Sequence, residues 1–134
     1  MSNDLTALTE QHTNTLAALL NIRFVEATPD RVVAELTFRQ ELTTVGGSLH
    51  GGVLMALADT VGAAATMLNL PPGASTTTLE SKTNFLAAGR SGVVRAEATP
   101  LHRGKRTMVW QTRVTDANQR LLSLTIQTQM VLTS

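Results

Sequence analysis

The chain's 134 residues, 43% hydrophobic and 16% charged with no cysteine, suit a single domain over residues 1–134 with one core, and exclude a disordered chain, a charge-rich coiled coil and a disulfide scaffold. Eleven basic against ten acidic side chains, a formal charge of +1, and 3% aromatic residues supply neither a broad phosphate-binding face nor base-stacking platforms, so no nucleic acid partner is expected. Thiol catalysis and cysteine-ligated zinc are ruled out, and His12, His50 and His102 lack metal-ligand spacing, so no metal and no cofactor are expected.

No basic segment followed by an apolar one opens the chain, and a cytoplasmic protein is therefore the expectation. Residues 4–20 set Leu5, Leu8, Leu16, Leu19 and Leu20 among polar positions, which predicts one amphipathic helix with Asp4 as its N-cap and Asn21 at its end. Residues 22–27 and 31–38 flank the turn signal Thr28-Pro29-Asp30, and the second run alternates Val32, Ala34, Leu36 and Phe38 with Val33, Glu35 and Thr37. This pattern is a β-hairpin. A polar, glycine-containing loop over 39–49 leads to residues 51–68, almost wholly apolar apart from Asp59, Thr60 and Thr66. That stretch is slightly short for a membrane span and carries a carboxylate in its middle, so it predicts a buried central helix and no membrane partner. Asn69-Leu70-Pro71-Pro72-Gly73 stops the helix. Four strand-like runs follow at 75–86, 93–101, 107–115 and 121–132, separated by turns at 89–92, 102–106 and 116–120. Helix, two strands, helix and four strands make an α+β protein, an antiparallel sheet wrapped around a long central helix.

On a helical wheel Leu54, Leu57, Val61, Ala64 and Leu68 form one stripe fit to pack on a sheet. Asp59 lies off that stripe, among Met55, Ala56, Gly62 and Ala63, and no basic residue occurs in the helix. A carboxylate among apolar groups is costly unless it finds partners, which makes Asp59 a candidate for chemistry. At the start of the same helix stands Leu49-His50-Gly51-Gly52-Val53. The unpaired N–H groups of a first helical turn carry the positive end of the dipole, and glycines let a ligand carbonyl approach, so Gly51 and Gly52 outline an oxyanion hole with the Gly52 N–H as its donor. His50 is a candidate catalytic residue that would polarise or orient groups at the oxyanion hole, and its side chain is favoured as a structural hydrogen-bond partner at that helix start. Seven positions separate Gly52 from Asp59, roughly 10 Å at ~1.5 Å rise per residue. One carbonyl cannot lie against both, so the site is expected between two copies of the helix.

Residues 49–60, Leu-His-Gly-Gly-Val-Leu-Met-Ala-Leu-Ala-Asp-Thr, closely resemble the signature of hotdog-fold acyl-CoA thioesterases of the phenylacetate-pathway and 4-hydroxybenzoyl-CoA type. Asn84-Phe85-Leu86 matches the following strand of that family, and residues 102–107, His-Arg-Gly-Lys-Arg-Thr, match its basic hairpin. The resemblance implies a hotdog fold, an acyl-CoA substrate, and homodimers that join their sheets edge to edge and assemble to a homotetramer. It further implies thioester hydrolysis, with Asp59 as general base or as nucleophile. The chain departs from the family at two places. Thr44 stands where relatives carry Asn or Gln against the thioester or the water, and Phe85-Leu86-Ala87-Ala88 stands where many read Phe-Leu-Arg-Pro, leaving Arg90 as the nearby cation. Arg103, Lys105 and Arg106, with the Thr107 hydroxyl, are the expected contacts to the phosphates of CoA. Two other readings stand beside hydrolysis: an acyl-CoA binding hotdog protein without activity, and an enoyl-CoA hydratase or dehydratase, for which the helix lacks a His–carboxylate pair.

Overall fold

The computed structural model describes residues 3–133. Its elements are α1 (Asn3–Gln11), α2 (Leu16–Leu19), β1 (Arg23–Thr28), β2 (Arg31–Thr37), α3 (Gly51–Met67), β3 (Ser75–Phe85), β4 (Val93–Arg103), β5 (Thr107–Thr115) and β6 (Leu121–Leu132), with a short 3-10 turn (Gln40–Leu42) in the loop before α3. The order follows the sequence reading except at the N-terminus, where two helices replace the single one expected over 4–20. His12, Thr13, Asn14 and Thr15 are poor helix formers in succession. Asn14 takes a left-handed φ of 64°, and the Thr15 hydroxyl bonds the His12 carbonyl at 2.6 Å. Leu8 and Leu20 enter the core, while Leu16 and Leu19, expected on the same apolar face, are exposed. Asp4 sits inside the first turn of α1, not before it. Asn21 ends α2 as expected, in the left-handed region at φ 57°.

All strand pairs are antiparallel, and the six strands lie in the order β1-β2-β4-β5-β6-β3. The Thr28 hydroxyl accepts the Arg31 N–H at 3.1 Å and closes the Pro29-Asp30 turn. β4 runs on through His102 and Arg103, past a bulge at Pro100/His102, so the basic hairpin turns at 104–106, two residues later than expected.

The sheet curls around α3. Side chains alternate along each strand, and the inner face below the helix is built differently in its two halves. Under β2 and β4 it is shallow and apolar, with Ala34 paired to Ala96 and Val32 to Ala98. Leu54, Leu57, Val61 and Ala64 of α3 are buried in the core with these residues, with Leu68 packed at its edge. On β5 and β6 the buried set includes Thr112, Ser123, Thr125, Gln127 and Gln129 beside Trp110 and Val114. β3 forms one edge of the sheet, with Leu79 and Phe85 exposed on it. No helix among the described residues is long and apolar enough to cross a membrane.

Leu57 is fully buried at the centre of α3. Leu57→Ala is expected to destabilise the protein by about 2–5 kcal/mol, as large-to-small core changes do, read from the urea midpoint at unchanged slope. A loss under about 1 kcal/mol would mean that Leu57 does not seat the helix on the sheet.

Candidate active site

The loop into α3 is tied down before the helix begins. The Leu49 N–H donates to the Gly89 carbonyl at 2.8 Å, and the His50 N–H to the Leu42 carbonyl at 2.9 Å. His50 is the N-cap of α3 in extended conformation, and its Nδ1 accepts the Gly52 N–H at 2.7 Å. A Cβ at position 52 would lie 2.9 Å from that Nδ1, so glycine is what makes room for the imidazole cap. The Val53 and Leu54 N–H groups both donate to the His50 carbonyl. The structural role expected of His50 is therefore present, and it changes the choice of oxyanion donor. Gly52 N–H, the donor read from sequence, is occupied, whereas Gly51 N–H has no acceptor among the described residues. A Cβ on Gly51 would stand 3.2 Å from two atoms of the Phe85 ring, so bare backbone faces the aromatic edge of β3.

Asp59 is half-buried in the middle of α3. Its Oδ1 accepts the Thr78 hydroxyl of β3 at 2.8 Å and the Gln127 Nε2 of β6 at 2.9 Å. Its Oδ2 takes no bond among the described residues. Sequence reasoning identified the carboxylate and missed these partners. The signal was available: Thr125, Gln127 and Gln129 recur at every second residue, the core-facing positions of a strand that would otherwise carry aliphatic side chains there.

Thr44 lies in a turn closed by its own N–H on the Ser48 carbonyl and by the Gly47 N–H on the Thr44 carbonyl. Its side chain is exposed, with no hydrogen bond among the described residues. Arg90 reaches the same loop and donates to the Gly46 carbonyl at 3.2 Å. The cations of the basic hairpin separate into two kinds. Arg103 Nη1 donates to Asp30 Oδ1 at 2.7 Å, to the Pro29 carbonyl at 3.1 Å and to Asn69 Oδ1 at 3.4 Å, and so clamps the hairpin to the β1–β2 turn and to the end of α3. Lys105 and Arg106 are exposed, with no side-chain partner among the described residues, and Thr107 is half-buried beside them.

Within one chain these parts do not converge. Gly51, Thr44 and Arg90 stand at the start of α3, Asp59 lies eight residues along, and the basic hairpin is at its far end. At ~1.5 Å per residue those steps are about 12 Å and about 24 Å along the axis. His12 bonds the Leu8 carbonyl and contacts the Phe24 ring, and His102 is exposed at the hairpin. A cleft of about 760 Å³ beneath α1 and α2, lined by His12, Asn21 and Phe24 among others, contains none of the expected site residues.

A long glycine-led helix gripped by an antiparallel sheet of this strand order is a hotdog fold. Residues 46–123 match the sequence profile of the thioesterase superfamily, and the chain belongs to that family. It is 32% identical over 117 residues to a 1,4-dihydroxy-2-naphthoyl-CoA hydrolase of Escherichia coli, spanning 87% of this chain and 86% of that one. An enzyme of the same name from Listeria monocytogenes is 30% identical over 109 residues, spanning 81% and 89%. A thioesterase crystal structure from Haemophilus influenzae superposes with a TM-score of 0.93 at 30% identity, covering 99% of this chain and 93% of that one.

Proposed function

We propose that the protein hydrolyses an acyl-CoA thioester to a free acid and CoA. The observation that carries this reading is Asp59, a half-buried carboxylate with Oδ1 bonded and, among the described residues, Oδ2 open, on a helix whose first N–H is likewise open to them. Gly51 N–H, at the positive end of α3, polarises the thioester carbonyl and holds the oxyanion as the carbon becomes tetrahedral. Asp59 Oδ2 either removes a proton from the attacking water, or attacks the carbon itself to give a mixed anhydride that water then opens. In both routes CoA leaves as the thiol. In this reading the Thr44 hydroxyl, exposed on the turn before the helix, contacts the thioester or the water. The relatives from E. coli and L. monocytogenes are named for a bicyclic aromatic acyl-CoA, which makes aryl-CoA thioesters the first substrates to test.

The site is composite in this reading. A carbonyl needs donor and attacker each at ~3 Å, whereas Gly51 and Asp59 of one helix are about 12 Å apart. Two helices packed antiparallel about a two-fold axis bring the Gly51 end of one copy to Asp59 of the other. The open edge of β3, with exposed Leu79 and Phe85, is the surface through which two copies join as a homodimer, and dimers then pair into a homotetramer. The same geometry carries the basic hairpin of one copy toward the Arg90 loop of its partner, where Lys105 and Arg106 meet the phosphates of CoA.

Asp59→Asn is expected to lower turnover at least ~100-fold in a thiol-release assay with an unchanged circular dichroism spectrum; wild-type turnover would remove Asp59 from the chemistry. Arg106→Ala is expected to raise KM for an acyl-CoA more than for the acyl-pantetheine that lacks the nucleotide phosphates, and equal effects would assign Arg106 another role. Gly51→Pro removes the proposed donor at a helical position that tolerates proline, with the exposed Phe85 ring shifting by a few tenths of an ångström to admit its Cβ. Each inactive alone, Gly51→Pro and Asp59→Asn subunits dissociated and remixed are expected to recover about a quarter of wild-type activity, because half the dimers are mixed and each mixed dimer has one intact site. No recovery, with exchange verified by mass, would place a complete site in each chain.

A further inference from the structure

Gln127 and Gln129 are buried and face α3 from β6, on a strand without a charged residue. The two N–H groups of the Gln127 amide have separate acceptors, Asp59 Oδ1 at 2.9 Å and Gln129 Oε1 at 2.9 Å. Gln129 is fixed in turn, since its Nε2 donates to Thr76 Oγ1 at 3.0 Å and that hydroxyl donates to the Met130 carbonyl at 2.8 Å. Reversing the Gln127 amide would set its oxygen against a carboxylate and against another amide oxygen, two contacts between acceptors. Gln127 Oε1 is instead left buried without a partner among the described residues, which an amide tolerates only where its other end is held by something stronger. The space for this amide is made by α3 itself: a Cβ at Gly62 would overlap the Gln127 side chain. Thr78 completes the cradle. Its hydroxyl donates to Asp59 Oδ1 at 2.8 Å and to Gln129 Oε1 at 2.6 Å, one proton shared between the two acceptors.

We infer that Gln127, braced by Gln129 and admitted by Gly62, is a positioning residue for thioester hydrolysis: with Thr78 it occupies Oδ1 of Asp59 and presents Oδ2 as the reacting oxygen. This rests on the reading of Asp59 as the reacting carboxylate. A carboxylate free to turn about its last bond would offer the reacting carbon either oxygen in many orientations, and misplacement by about 1 Å costs on the order of 100-fold in rate. The amide touches no substrate and acts through Asp59 alone.

The test is a mutant cycle on thiol release from an aryl-CoA. Gln127→Met keeps the side-chain volume without its donor and is expected to lower kcat about 10–100-fold with KM within about twofold. Gly62→Ala displaces the amide while improving helix propensity, and is expected to lower kcat in the same way in a folded protein. Thr78→Val should fall likewise and Thr78→Ser should keep its kcat. In the Asp59→Asn background, Gln127→Met should cost nothing further. Gln127→Met lowering the residual Asp59→Asn rate by its full factor would overturn the inference, as would wild-type kcat in both Gln127→Met and Gly62→Ala. Should Gln127→Met fail to fold, Gly62→Ala and the Thr78 pair decide. Wild-type turnover in Asp59→Asn itself would instead overturn the reading of the carboxylate on which this rests.

Discussion

The structure depends on α3 burying an apolar stripe and a carboxylate against one sheet. Leu54, Leu57 and Val61 require an apolar floor, supplied by the alanines and valines of β2 and β4. Asp59, two residues beyond Leu57, requires hydrogen-bond donors, because a charge taken from water without partners is among the costliest things a fold can contain. The sheet meets both demands by changing character across its width, with threonines and glutamines on β3 and β6 where the helix carries its acid. Gly62 completes the match by giving up a side chain to the Gln127 amide.

A second constraint acts at the beginning of the helix. Each α-helix starts with N–H groups that lack intrahelical acceptors, and here the His50 side chain and carbonyl take those of Gly52, Val53 and Leu54. Among the described residues, what is left open is the N–H of Gly51. One imidazole therefore stabilises the helix and determines which amide faces outward. The adjacent glycines serve different ends: Gly52 is bare to admit the cap, and Gly51 is bare beneath the Phe85 ring.

The elements with strong local signals were legible in the sequence. The apolar run with its proline stop gave α3, and Thr28-Pro29-Asp30 gave the first hairpin. Leucine spacing predicts a single N-terminal helix, but the polar run at His12–Thr15 breaks it in two and leaves Leu16 and Leu19 outside the core. At the site, Asp59 stood out as a lone acid in an apolar helix. Gly52 also stood out, but its N–H is claimed by a side chain two residues away, a competition that the dipeptide does not reveal. Adjacency alone groups Arg103 with Lys105 and Arg106, whereas its three acceptors come from segments distant in sequence, around Asp30 and Asn69.

By itself the sequence determined the α+β class, the central helix, the carboxylate on it and the glycine turn before it, because each follows from the residue's own chemistry and its neighbours within one helical or strand period. Only the tertiary structure decided the partners: which oxygen of Asp59 is held, which glycine N–H is free, and which cations of the hairpin are already bound. Those choices depend on groups separated by up to 74 residues in the chain. Hydrogen bonds form by distance and direction in space, and sequence spacing carries that information only within one element.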